Sequence, residues 1–150
     1  MDLIQGFYNY GTSICRAWLN GNDSWVPSTQ FASRVYFAGQ DASAPSGWDY
    51  GSRLVDLNGD GRLDVIQGHY NYGKGSCSAL INNGNGWTPS PQYTSPVYFS
   101  GRDSGSPWGW DYGSEFVDFD GDGRVDVLQG HYNFGSGSTN AYRFNGNKWD

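Results

Sequence analysis

Short segments in which polar and apolar residues alternate recur along the chain, and turns rich in Gly, Asn, Asp and Pro separate them. Side chains point alternately to the two faces of a β-strand. The segment DVIQGHYNYG, residues 64–73, therefore places aromatic and apolar side chains on one face. The other face carries a row of uncharged hydrogen-bonding groups, Gln67, His69 and Asn71. No segment has the period of an amphipathic helix, so the pattern predicts an all-β protein.

The pattern repeats with a period of 62 residues. Residues 2–63 and 64–125 are identical at 34 of 62 aligned positions, and residues 126–150 begin a third unit. Aromatic residues make up 17% of the chain and Gly contributes 23 residues, which at this period is typical of a β-propeller blade. We therefore predict that residues 1–150 form a single β-propeller array of four-stranded blades, with about two and a third repeats per chain.

Each whole unit is predicted to contain four strands, A to D. In the second unit these are Ser52–Leu57, Leu63–Tyr72, Cys77–Asn82 and Pro96–Phe99. The chain then reads BCD, ABCD and ABC, whereas a closed ring needs at least about four blades. We expect the ring to be closed by homo-oligomerisation, with a trimer favoured and a dimer as the alternative. An open fragment with unpaired edge strands is the other interpretation.

Two acidic loops join strands A and B, DLNGDGRLD at residues 56–64 and DFDGDGRVD at residues 118–126. Their spaced carboxylates and the Gly that follows match the start of an EF-hand loop. The match ends there, because Gln129 stands where an EF-hand has its closing Glu and a strand follows instead of a helix. Oxygen ligands favour Ca²⁺ over Zn²⁺. A hairpin turn without an ion is the alternative.

The two loops resemble the D-x-[DN]-x-D-G-x-x-D calcium loops of FG-GAP or integrin-type β-propeller repeats. This resemblance implies one calcium ion in each loop, with a backbone carbonyl oxygen supplied by the Arg position. The implied ligands are Asp56, Asn58, Asp60, Arg62 and Asp64 in the first loop, and Asp118, Asp120, Asp122, Arg124 and Asp126 in the second.

The formal net charge is −6, and seven of the 15 acidic residues lie in the two loops. This charge argues against a nucleic-acid partner, which requires a basic surface. No apolar run approaches the about 18 residues of a membrane span, so we expect no membrane insertion. We expect a soluble chain without a signal peptide, and the sequence assigns no localisation. Cys15 and Cys77 hold the same position in consecutive units, too far apart for a disulfide, and are expected to be free.

A second repeated motif, GWDYGS, precedes strand A at residues 47–52 and 109–114. Its side chains offer a stacking surface, a hydrogen-bond acceptor and a phenol. We expect the motif to face the polar row across a crevice between blades, and packing between blades is the alternative role. The candidate ligand-binding residues are Gln67, His69, Asn71, Gln129, His131, Asn133, Trp48, Asp49, Tyr50, Trp110, Asp111 and Tyr112.

Taken together, the acidic loop, the QGHYNYG strand and the GWDYGS motif resemble the Psathyrella velutina lectin family of β-propellers. The resemblance implies multivalent binding of N-acetylglucosamine-type glycans in pockets between blades, with sialic acid also tolerated. Those lectins are longer single chains. The close identity between the units here indicates a shortened or engineered repeat.

Two other functions fit parts of the sequence less well. An integrin-like, calcium-dependent protein-binding propeller would account for the calcium loops, but the repeated polar groups favour a multivalent binder of small ligands. An enzyme is not expected, because neither His69 nor His131 has a repeated Ser or Cys nucleophile beside it.

Overall fold

The computed structural model describes residues 2–32, 35–133 and 135–150, and this part of the chain is almost entirely β-structure. The described strands form three sheets. The first sheet has the order β3-β2-β1-β4-β5. Its strands are β1 (Leu3–Asn9), β2 (Thr12–Asn20), β3 (Trp25–Pro27), β4 (Ala38–Asp41) and β5 (Ala44–Asp49).

The second sheet is the largest, and a 3-10 turn at Pro91–Tyr93 follows its outermost strand. Its strands are β6 (Ser52–Val55), β7 (Asp64–Asn71), β8 (Lys74–Asn82), β9 (Trp87–Pro89), β10 (Ser100–Arg102) and β11 (Trp110–Asp111). The third sheet contains β12 (Ser114–Val117), β13 (Asp126–Asn133) and β14 (Ser136–Tyr142), with a single bridge from Phe144 to Trp149. Among the described residues, no helix is long and apolar enough to cross a membrane.

Strands A, B and C of the second unit lie at β6, β7 and β8, close to their predicted positions, but the predicted position of strand D was wrong. The outer strand is β9, which pairs with β8, whereas Pro96–Phe99 is not in a strand. The apolar residues of that segment are instead buried between sheets, with Val97 6% and Phe99 1% exposed. Hydrophobic burial therefore accounts for the pattern that suggested a strand.

The inner edge of β7 is covered by two different strands. Antiparallel β6 pairs with its first half, from Val55 opposite Asp64 to Ser52 opposite Gln67. Parallel β10 pairs with its second half, beginning with Ser100 opposite His69. The chain enters β6 through Gly51, whose φ of +65° suits glycine and whose missing Cβ leaves room for the Gly68 carbonyl. The alternation of polar and apolar residues does not predict β10.

Both faces of the second sheet are buried. On one face, Val65 and Leu80 pack with Val35 from the connection between β3 and β4. On the other, Ile66 belongs to a cluster that includes Val127 of the third sheet. The remaining members of that cluster are Leu57, Ala79, Tyr93, Val97, Phe99 and Phe144. Adjacent residues of β7 thus contact opposite neighbours, as the strand period requires.

The two cysteines are free thiols, as predicted, and both are half-buried. Burial raises the pKa of each thiol. Neither is placed in the crevices described below.

Candidate functional site

A cavity of about 270 Å³ lies where Tyr36 and Tyr50 face strands β7 and β8 of the second sheet. We call it the second-unit crevice. It brings the predicted polar row of β7 together with Tyr50 of the first GWDYGS motif, as the sequence analysis expected. The lining residues are Tyr36, Tyr50, Gln67, His69, Asn71, Lys74, Gly75 and Ser76.

The amide of Gln67 is anchored by its nitrogen. Nε2 donates to Ser52 Oγ at 3.0 Å, to the Tyr50 carbonyl at 3.3 Å and to the Tyr36 carbonyl at 3.4 Å. The third unit repeats this anchor, since Gln129 Nε2 donates to Ser114 Oγ at 2.9 Å. In both units the amide oxygen is therefore the group that stays available to a ligand.

His69 is the most unusual residue of the crevice. It is only 4% exposed, yet neither ring nitrogen has a hydrogen-bond partner within the described part of the chain. Its ring meets the edge of Tyr50 at a centroid distance of 4.9 Å. Burial, and secondly the charge of Arg102, lower the pKa of His69 to about 4, against an opposing effect of Asp49. The imidazole is thus neutral at pH 7, with one donor and one acceptor unused.

Asn71 is held by Arg102, which is not among the residues predicted from the sequence. Arg102 Nε donates to Asn71 Oδ1 at 2.9 Å, and its NH2 group pairs with Asp41 at 3.0 Å. The guanidinium carbon lies 3.4 Å from the centroid of the Trp48 ring, which indicates a cation–π contact. The sequence offered one hint of this role, because Arg102 stands where the first unit has Gln40.

The predicted Trp–Asp–Tyr groups do not act as one cluster. Tyr50 lines the second-unit crevice, where burial raises its pKa to about 12 and keeps the phenol neutral. Trp48 is 5% exposed beneath Arg102. Asp49 forms an ion pair with Arg53, in which Asp49 Oδ2 lies 2.9 Å from the NH2 group of Arg53. A separate pocket, also of about 270 Å³, is lined by Asp49, Trp108, Gly109, Trp110 and Asp111.

The third unit keeps the same arrangement with a more open histidine. The rings of Tyr112 and His131 are 4.8 Å apart, close to the distance between Tyr50 and His69. His131 is half-buried. The side chain of Asn133 lies outside the described residues. We call this arrangement the third-unit crevice.

The acidic loops fold around their first carboxylate. Asp118 Oδ1 accepts hydrogen bonds from the amides of Gly121 and Asp122, and Oδ2 accepts one from Gly123. Asp56 binds its own loop in the same way, through the amides of residues 59–61. The Asp-rich sequence therefore sets the loop shape directly, because a short acidic side chain accepts from backbone amides that follow it.

Three of the predicted metal ligands in the second loop come together. Carboxylate oxygens of Asp118, Asp120 and Asp126 lie within 4.8 Å of one another, close enough to hold a metal ion. Asp122 instead pairs with Arg124 at 2.6 Å. In a calcium-bound loop Asp122 would have to exchange this ion pair for the metal.

The first loop differs mainly at its second ligand position, where Asn58 replaces an acid. Asp60 pairs with Arg62 at 2.7 Å, as Asp122 does with Arg124. Asp64 is fully buried and accepts from the Leu57 amide at 2.9 Å. Burial raises the pKa of Asp64, and the neighbouring carboxylates of Asp60 and Asp56 raise it further. A bound cation would relieve this repulsion.

Comparison with known families supports this reading of the loops. Residues 56–129 match the model of the FG-GAP-like repeat family, from the first residue of the first acidic loop to β13. Repeats of this family often bind calcium. Searches of curated proteins and of solved structures gave no significant match. The chain is therefore a β-rich repeat protein of the propeller type.

Proposed function

We propose that this protein is a lectin that binds N-acetylglucosamine-type glycans in the crevices between its repeat units. The observation that carries the proposal is His69, a buried neutral imidazole whose two ring nitrogens have no partner among the described residues and which lines a cavity. Leaving such a group unpaired costs about 1–3 kcal/mol. A ligand with hydroxyl or amide groups removes that penalty.

The other lining groups suit the same ligand. The amides of Gln67 and Asn71 offer neutral hydrogen-bonding groups, and the rings of Tyr36 and Tyr50 offer apolar surface for the C–H face of a sugar. A volume of about 270 Å³ lies just below the roughly 300–1,000 Å³ typical of drug-sized ligands. One sugar residue is a fitting occupant. The proposed role of these groups is to bind the sugar.

Calcium is proposed to stabilise the two acidic loops. The support is the proximity of Asp118, Asp120 and Asp126, together with the buried and destabilised carboxylate of Asp64. Oxygen-only ligands of this number suit Ca²⁺. The ion would join strands A and B of a unit and leave the crevice chemistry to β7 and the tyrosines.

Multivalency is proposed to increase through self-association. Leu128 is 40% exposed, whereas its equivalent Ile66 is fully buried by the next sheet. On the opposite side, Leu3 is 51% exposed, whereas its equivalent Val65 is 1% exposed. Between neighbouring sheets of one chain, the equivalents of these two faces pack against each other. We therefore propose that a second copy of the chain covers the two faces that are left exposed. Each chain contributes three sheets, which favours a dimer over the trimer expected from the sequence.

Titration calorimetry with N-acetylglucosamine tests the glycan site. In the double variant His69→Ala/His131→Ala, the binding free energy is expected to weaken by about 1–3 kcal/mol per site, as for a lost hydrogen-bond pair. Ser28→Ala serves as a control at a half-buried position outside both crevices. Full affinity in the double variant would refute the site, and glycan-array binding that is absent in the native protein would favour the protein-binding alternative.

A further inference from the structure

We infer that Arg102 is a positioning residue that orients the Asn71 amide, and that it thereby makes the second-unit crevice select an N-acyl group over a hydroxyl. The inference rests on the proposed function, because it concerns the ligand of the same crevice. It assigns a role to a residue that does not itself line the cavity.

Arg102 is held rigidly enough to impose an orientation. It is 5% exposed and lies between the rings of Trp48 at 3.4 Å and Tyr72 at 5.3 Å. Its NH2 group is tied to Asp41. Although burial raises the pKa of Asp41, hydrogen bonds from Ser43 and Arg102 hold it at about 2. The ion pair is therefore intact at all pH values at which the protein would be studied.

The consequence falls on Asn71. Because Arg102 Nε donates to Asn71 Oδ1 at 2.9 Å, the amide oxygen is engaged and the Nδ2 donors remain for a ligand. Gln67 is anchored the opposite way, through Nε2, and presents its oxygen. The row therefore has a direction, from an acceptor at Gln67 through His69 to a donor at Asn71.

A directional row distinguishes two kinds of ligand. The N–H and C=O of an N-acyl group are fixed on opposite sides of a planar amide, so the group fits only if a donor and an acceptor face it in the right order. A hydroxyl both donates and accepts and rotates freely. Neighbouring row positions are spaced by two residues of a strand, roughly 6.6–6.8 Å. An N-acyl group between Asn71 and His69 would give its oxygen to Nδ2 and its N–H to the imidazole.

The first unit carries the same device in an uncharged form. Gln40, which aligns with Arg102, donates from Nε2 to Asn9 Oδ1 at 2.9 Å. The task shared by the two residues is donation to the Asn oxygen. What Arg102 adds is a positive charge near His69, which favours the neutral imidazole. The other charged or titratable groups around His69 are Asp49, Tyr50 and Lys74.

The experiment compares Arg102→Leu with Arg102→Gln, the residue of the first unit, in the full chain. Calorimetry would use methyl N-acetyl-β-glucosaminide and methyl β-glucoside. Arg102→Leu is expected to lower the affinity for the N-acetyl sugar about tenfold, which corresponds to the loss of one hydrogen bond. The affinity for the glucoside should stay within about twofold of the native value. Arg102→Gln should restore N-acetyl binding. NMR titration should show the pKa of His69 rising above about 4 in both variants.

The outcomes separate the inference from the function on which it rests. If the native protein binds neither sugar, the proposed function fails. If the native protein binds the N-acetyl sugar and Arg102→Leu keeps both its affinity and its selectivity, the positioning role of Arg102 is wrong. If Arg102→Leu fails to fold, the single variants Asp41→Asn and Arg102→Gln provide the test. Asp41→Asn removes the ion pair that holds Arg102 and should lower the affinity for the N-acetyl sugar, whereas Arg102→Gln should not.

Discussion

Protonation of His69 should destabilise the protein strongly and in a defined pH range. Burial and the charge of Arg102 lower the pKa of His69 from 6.5 to about 4 in the folded state. Each pKa unit corresponds to about 1.4 kcal/mol, so the difference of about 2.5 amounts to roughly 3.5 kcal/mol. Because the folded pKa is depressed, the unfolded chain binds the proton first. The stability is complete above about pH 6.5 and is lost as the pH falls towards 4.

Urea denaturation at pH 7.5 and at pH 4.5 measures this loss. The matched variant is His69→Phe, because the first unit has Phe7 at the same position. The native protein should lose about 2–3 kcal/mol more than His69→Phe between the two pH values. The comparison removes the contribution of other titrating groups, including Asp64, whose pKa is raised by burial. His131→Phe is a second control, in which the pH dependence due to His69 should remain.

Two results would contradict this reasoning. Equal losses of stability in the native protein and in His69→Phe would show that His69 does not titrate across the transition. An imidazole pKa near 6.5 by NMR in the folded, ligand-free protein would show that the ring is solvated or paired, and would also weaken the case for a ligand at His69.

Three further predictions concern the repeat contacts. Gly68→Ala should lower the free energy of unfolding by about 1–3 kcal/mol, because a Cβ there would overlap the backbone at Val97. Gly130→Ala at the equivalent position has open space among the described residues and should lower it by less than about 1 kcal/mol. Calcium at about 100 times its Kd should stabilise the native protein by about 2.7 kcal/mol for each occupied loop. Asp120→Ala should reduce this gain, seen as a smaller rise in Tm, while Asp23→Ala should not, and no response to calcium or EDTA would refute the metal site. Tyr132 is 76% exposed, and Tyr132→Ser should lower the mass measured by light scattering if a second copy covers that face.

Gly68 and Gly130 show that residues at the same position of two repeat units can have different surroundings in the fold. Gly68 and Gly130 occupy the same place in identical QGHYN segments. A Cβ on Gly68 would meet the connection between β9 and β10, and no such segment covers Gly130 within the described residues. The same difference separates His69, which is buried, from His131, which is half-buried. Local sequence is repeated, but the neighbours that close over it are not.

Much of the fold could be predicted from the sequence, because interactions between residues close together in the chain determine it. Strand alternation placed Gln67, His69 and Asn71 on one face, and the structure puts all three on the wall of one cavity. The acidic spacing of Asp118 and its neighbours also sets the loop, since an Asp side chain accepts from amides only a few residues ahead. These features depend on residues close together in the chain.

Only the tertiary structure decided which distant residues complete the site. Arg102 reaches Asn71 because β10 pairs in parallel with β7, and a parallel pairing across a long connection leaves no periodic trace in either strand. Strand D lies at Trp87–Pro89 because it pairs with β8, and Val97 and Phe99 are buried outside any strand. The sequence thus determined the strands, the loops and the polar row. Packing between sheets determined how far His69 is desolvated, and hence its charge and its capacity to bind.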